Sequence, residues 1–151
     1  MKTLVIGIGN LLRSDDGVGH HVLNALRNEH ISVNIELREC ATGFDILNEI
    51  IGYESVVIID AIRSGRETGT VYRFSPDELK VKPTLHTFSS HEADFLTMLE
   101  LGKRLFPGKM PQEITIIAIE VGDVTTISEK CTPAVEKAIP EAVELIKGLL
   151  S

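Results

Sequence analysis

Apolar positions along this chain recur at two periods, every second residue and about every 3.6 residues, and the switch between them predicts its elements in order. Leu4–Gly7 is a short apolar run that reads as a first strand, and Val18, Val22, Leu23 and Leu26 share one face of a helix over Val18–Asn28. Val33–Arg38 alternates apolar with polar as a second strand does, and Phe44, Leu47, Ile50 and Ile51 then return to helical spacing over Phe44–Ile51. Val56-Val57-Ile58-Ile59 is a continuous β-branched run, the pattern of a parallel strand covered on both faces. Gly69–Phe74 reads as a shorter strand after the turn-like Arg63–Thr68, Ala93–Phe106 as a helix carrying Phe95, Leu96, Leu99 and Leu105, and Ile114–Ile119 as another β-branched strand. The last segment opens with Thr132-Pro133, an N-cap followed by proline at the first helical position. Pro140 inside it is expected to kink or split that helix. Strand and helix in turn predict an α/β fold: a three-layer sandwich with a mostly parallel central sheet and helices on both faces.

Composition narrows the function more than the fold. With 151 residues and no repeat, low-complexity tract or linker, residues 1–151 are expected to form a single domain. The chain is 43% apolar without a continuous run able to span a bilayer, and Met-Lys-Thr-Leu-Val-Ile-Gly enters a strand with no signal-peptide pattern, so a cytoplasmic location is expected. A net charge of -7 disfavours nucleic acid and anionic membrane as partners. Cys40 and Cys131 make neither a disulfide framework nor a Cys-x-x-Cys site and are expected to be buried thiols.

The chemistry concentrates at strand ends. Gly7-Ile8-Gly9-Asn10-Leu11-Leu12-Arg13-Ser14-Asp15-Asp16-Gly17-Val18-Gly19 joins the first strand to the first helix through a glycine turn. A dinucleotide fingerprint has a similar outline but carries a pyrophosphate onto the helix N-terminus, where Asp15 and Asp16 would repel it. Its third glycine is also missing, because Leu12 stands in that place. Asp60 closes the buried run Val56–Ile59, and His91 follows Ser89-Ser90 at a helix start. Each has a plainer reading: helix capping for Asp15 or Asp16, a turn start for Asp60, and an incidental surface position in a capping box for His91. Taken together, one imidazole and two carboxylates from three separate strand ends form a mixed nitrogen and oxygen ligand set suited to Zn, Ni or Fe(II). If Ser89 caps the helix, His91 lies in its first turn, where the dipole favours the neutral imidazole. Backbone N–H groups of the Gly7–Asn10 turn are candidate oxyanion donors. His20 and His21 fall within the first helix with one of them facing solvent, and His30 and His86 fall in loops. Lys103, Arg104 and Lys109 read as a solvated face, and Glu120 follows a strand near the candidate cluster.

With these residues in view, the chain resembles the hydrogenase maturation proteases, endopeptidases that remove a C-terminal extension from the large subunit of [NiFe] hydrogenases. The resemblance rests on Gly7-x-Gly9-Asn10-x-Leu12-x-x-Asp15-Asp16-Gly17-Val18-Gly19, Thr42-Gly43, Ile59-Asp60-Ala61, Gly69-Thr70-Val71, Ser90-His91 and Thr132-Pro133. It implies that Asp16, Asp60 and His91 are the metal-binding and catalytic residues, with Asp15 a candidate general base or support for its neighbour. It further implies that the metal is nickel already inserted in the large-subunit precursor rather than a permanently bound ion, so that cleavage checks metal insertion. Where family members often carry Asp-Gly-Gly-Thr, this chain has Arg38-Glu39-Cys40-Ala41-Thr42-Gly43, which bears on the identity of the partner hydrogenase. Position 16 holds Asp, one methylene shorter than Glu, and the family uses both. No G-x-S-x-G nucleophile elbow is present. Two rivals stand beside the protease: a non-catalytic nickel-dependent chaperone that docks on the precursor in stoichiometric amounts, and a nucleotide-binding Rossmann protein.

Overall fold

A computed structural model describes residues 2–81 and 90–150, and the side chains at 80, 81 and 90–95 lie outside that description. Five strands form one sheet: β1 (Thr3–Ile8), β2 (Ile35–Cys40), β3 (Ser55–Ile62), β4 (Val71–Phe74) and β5 (Glu113–Glu120), in the order β2-β1-β3-β5-β4. All pairs are parallel except β4 with β5. Among the described residues the helices are α1 (Val18–Arg27), α2 (Ile46–Ile50), α3 (Pro76–Val81), α4 (Ser90–Leu105) and α5 (Pro133–Leu150), with one-turn 3-10 segments at Ser14–Gly17 and Gly43–Asp45.

Alternation along the central strands sorts the core into two layers. Leu4, Ile6, Ile8, Val56, Ile58, Ile62, Ile116 and Ala118 face one way and pack with Ile46, Ile50, Leu79 and Leu99 of α2, α3 and α4. Val5, Val57, Ile59, Ala61, Ile117 and Ile119 face the other way and pack with α1 and α5. Each fully buried aliphatic side chain contributes about 1.5–3 kcal/mol. Val18, Val22, Leu23 and Leu26 together therefore outweigh the cost of about 1 kcal/mol for Gly19 inside α1. Gly19 is there for contact: a Cβ at this position would stand 3.0 Å from the Ile59 carbonyl and 3.2 Å from that of Ile8.

Several expectations need correction. Phe44 is exposed and belongs to the 3-10 segment, so Ile46 takes the inward position instead and α2 is shorter than expected. The second strand starts later than Val33, which is exposed. α3, opened by Pro76-Asp77-Glu78, has no counterpart in the periodicity, while the one antiparallel strand, β4, is consistent with the mostly parallel sheet expected. Pro140 does not split the last helix, because Val135 and Ala138 before it and Ala142, Val143 and Ile146 after it are buried against the same layer.

The strand order fixes where a ligand belongs. From β1 the chain moves outward to β2, then crosses back over β1 to β3. The carboxyl ends of β1 and β3 thus form the switch point where open parallel sheets open a crevice.

Candidate active site at the β1–β3 switch point

Two of the candidate carboxylates lie on or just beyond the strands that form this switch point. Asp16 lies in the Ser14–Gly17 turn immediately beyond β1, and Asp60 lies on β3. Both are buried, at 3% and 0% exposure, in a position where carboxylates are rare unless they serve a purpose. Asp60 is inside the strand, which continues to Ile62, so the turn-start reading fails. Its Oδ1 accepts the N–H of Ala61 at 2.8 Å. Asp16 Oδ2 accepts the N–H of Asn10 at 2.9 Å. That approach depends on Gly9, whose φ of +147° falls in a region disfavoured for side-chain-bearing residues, and a Cβ there would lie 2.0 Å from the Asp16 carbonyl oxygen.

Asp15 has a different role from its neighbour. It is fully buried, and its carboxylate accepts from the N–H groups of Gly122 at 3.0 Å, Asp123 at 3.1 Å and Thr132 at 2.6 Å. Thr132 Oγ1 adds a contact at 2.8 Å to Oδ2. Its own N–H donates to the Asp123 carbonyl at 2.9 Å. Both oxygens are committed to the loop between β5 and α5, which removes the general-base reading and makes Asp15 the anchor of the motif. Neither Asp15 nor Asp16 caps α1 or the 3-10 turn. The same loop grips the motif from outside: Ser14 N–H donates to Ser128 O at 2.8 Å, Ser128 N–H to Leu12 O at 2.9 Å, and Ser14 Oγ to Lys130 O at 3.0 Å. Ser14 is held at φ +50°, a conformation that costs about 1–3 kcal/mol at a non-glycine residue and persists because this clamp fixes it.

The oxyanion expectation is corrected in the same turn. The Gly9 N–H is paired with Cys40 O at 3.1 Å and the Asn10 N–H with Asp16, so these two donors are already used.

Glu120 gains weight from the sheet register. Asp60 pairs with Ala118 and Ile62 with Glu120, and parallel partners share a face, so both carboxylates belong to the face covered by α4. Glu120 is 1% exposed and accepts from Ser64 N–H at 2.8 Å, Tyr72 O–H at 3.2 Å and the Ser64 hydroxyl. It ties the exit of β3 to the start of β4. Its position after a β-branched strand was the one sequence signal for it.

The His91 side chain lies outside the described residues, as do Ser89 and His86. The backbone at residue 91 is the second position of α4, in its first turn as expected. Leu99 and Lys103 of α4 border a cavity of about 750 Å³ at the amino ends of the strands, beside Thr3, Ser55 and Glu113. At a rise of about 1.5 Å per residue, α4 therefore runs back toward the carboxyl ends, bringing residue 91 to the edge that holds Asp16 and Asp60. No candidate residue lines that cavity. Among the described residues no group of three His, Cys, Asp or Glu side chains could hold a metal, so the described part of the set is the carboxylate pair.

The remaining expectations are settled locally. Both cysteines are free; burial pushes the Cys40 thiol up to about 11 and the half-buried Cys131 up to about 12, where neither is a nucleophile at neutral pH. His21 is partly exposed and His20 is buried. No described helix is long and apolar enough to cross a membrane.

A family model described as hydrogenase maturation protease matches residues 21–148, a span that holds Asp60 and His91 and begins after the Asp15-Asp16 motif. The hydrogenase 2 maturation protease of Escherichia coli (strain K12) is 28% identical over 158 aligned residues, covering 99% of this chain and 91% of that protein. The hydrogenase expression/formation protein HupD of Thiocapsa roseopersicina is 28% identical over 146 residues, and the match spans 95% of this chain but 65% of the longer relative. Among solved structures, the [NiFe] hydrogenase maturation protease HybD from Thermococcus kodakarensis superposes with a TM-score of 0.81 at 27% identity, with both chains covered in full. The E. coli maturating endopeptidase HybD gives a TM-score of 0.83 over 99% of this chain and 92% of that one, at 24% identity.

Proposed function

The chain belongs to the hydrogenase maturation protease family, and from that premise we propose that it is the endopeptidase that removes the C-terminal extension of a [NiFe] hydrogenase large-subunit precursor after nickel insertion. The observation that carries the proposal is the pair of buried carboxylates at the switch point, Asp16 in the turn beyond β1 and Asp60 on the adjacent β3.

In this reading the nickel belongs to the substrate. A hard carboxylate pair with an imidazole suits a divalent ion such as nickel. Asp16 and Asp60 dock the precursor's filled metal site, and His91 is the third ligand, carried by the first turn of α4. Docking places the scissile peptide beside the metal, which polarises its carbonyl or acidifies a bound water. A precursor without nickel offers these carboxylates no cation to bind, so it docks less tightly than the loaded form. Asp15 acts at one remove by holding the motif in place. The location expected for such work is the cytoplasm.

The test is cleavage of nickel-loaded precursor by Asp16→Asn and Asp60→Asn variants, each nearly isosteric with its parent. Both are expected to lose about a hundredfold or more in rate while keeping their fold, since ligands matter at least as much as the groups that support them. Cleavage at the parental rate by either variant overturns the assignment of that residue. The chaperone alternative predicts a stoichiometric complex and an uncut precursor.

A further inference from the structure

Two hydrogen bonds meet on a single peptide unit in the turn beyond β1. The Gly9 carbonyl lies 2.7 Å from Nε2 of His20, and the N–H of the same peptide plane, that of Asn10, donates to Asp16 Oδ2 at 2.9 Å. A carbonyl only accepts, so Nε2 carries the proton and donates. The other ring nitrogen, Nδ1, makes no hydrogen bond and stands 3.5 Å from Glu39 Oε2, whose other oxygen pairs with Arg27 at 3.2 Å. His20 is 7% exposed on α1, among Val18, Gly19, Val22 and Leu23. A buried imidazole with one nitrogen lacking a hydrogen bond is a poor choice for packing alone, where an aliphatic residue would fill the space without leaving a polar atom unmet.

The peptide unit is planar, so its oxygen and its N–H turn together. Gly9 has no Cβ and sits at φ +147°, so its own side chain does nothing to restrict that turning. The bond from His20 supplies the restriction. We propose that His20 is a positioning residue for the cleavage reaction: through the Gly9–Asn10 peptide it sets the direction in which Asp16 presents its carboxylate to the precursor's nickel. The linkage rests on the protease reading for its consequence, and on the two hydrogen bonds alone for its existence.

The experiment uses the full chain with His20→Leu, which removes both nitrogens, and His20→Gln, whose amide can donate to the same carbonyl. Hydrogen exchange at the Asn10 amide reads the link without any precursor, with Val57 in β3 as the reference for intact fold. Asn10 protection is expected to fall about tenfold in His20→Leu with Val57 unchanged, and to be retained in His20→Gln. With nickel-loaded precursor, kcat is expected to fall about tenfold in the leucine variant at a KM within about twofold, and to recover in the glutamine variant. If the leucine variant does not fold, His20→Asn, too short to reach Gly9, takes its place with the same expectations. Unchanged Asn10 protection, unchanged kcat, or equal loss in the leucine and glutamine variants overturns the proposal. Cleavage absent from the wild type as well, with Asn10 protection still lost in the leucine variant alone, overturns the protease reading and leaves the His20–Asp16 link standing.

Discussion

Asp15 is bonded into the β5–α5 loop while the proposed function assigns its neighbour Asp16 to the substrate, and mutation should separate the two roles. Asp15 satisfies four donors from the β5–α5 loop, so Asp15→Ala strands several buried groups at about 1–3 kcal/mol each. Chemical denaturation should show a loss of about 3 kcal/mol or more. Asp16→Ala strands the Asn10 N–H and should cost stability far less than it costs cleavage. Gly9→Ala is predicted to fail by geometry, since its Cβ would lie 2.0 Å from the Asp16 carbonyl oxygen. A lower melting temperature and loss of cleavage together would bear this out, and a variant as stable and active as the parent would refute it. The thiols give a negative control. With Cys40 held near about 11 and Cys131 near about 12, both are protonated at pH 8 in the folded protein, so iodoacetamide should label them slowly and leave cleavage intact. Rapid inactivation would instead place a cysteine in the chemistry. At this scale the positions of Asp16 and Asp60 beside the β1–β3 switch point were legible in the sequence, since both follow apolar strand runs. The sequence left Asp15 between a general base and a support for its neighbour, because the partners that decide lie 107 to 117 residues away, and it gave no role to His20, whose acceptor is a backbone carbonyl 11 residues back.

Among the elements, the strands buried on both faces were the easiest to read, because Val56–Ile59 and Ile114–Ile119 need apolar side chains at every position. Strand direction is not written in local pattern; β4 is antiparallel because of where its connection to β5 leads, and a periodicity within four residues carries no trace of that. α3 is six residues long, too short for a helical period to emerge. The first motif also concealed a full turn of 3-10 helix, whose tight geometry turns Asp15 toward the β5–α5 loop and Asp16 toward Asn10. Pro140 makes a test of α5. It is exposed, and the helix continues through it on the strength of the buried stripe, so Pro140→Ala restores a backbone donor without disturbing the core. Stability is expected to rise by about 1–3 kcal/mol in urea melts. A loss would mean that the proline shapes the packing of α5 rather than being carried by it.

For the molecule as a whole, topology and charge act on the same place. The strand order puts the crevice between β1 and β3, the β5–α5 loop clamps one wall of it, and Glu120 secures the loop that leaves β3 on the other. A net charge of -7 disfavours an anionic ligand and favours a cation. That bias supports a protease that engages its substrate through a metal the substrate brings. The most direct measurement is the intact mass of a hydrogenase large-subunit precursor incubated with catalytic amounts of this protein, nickel-loaded and nickel-free in parallel. The account predicts loss of a discrete C-terminal fragment, over many turnovers, from the loaded form alone. Equal cleavage of both forms would contradict the role given to nickel, and an uncut loaded precursor held in a one-to-one complex would contradict the protease itself.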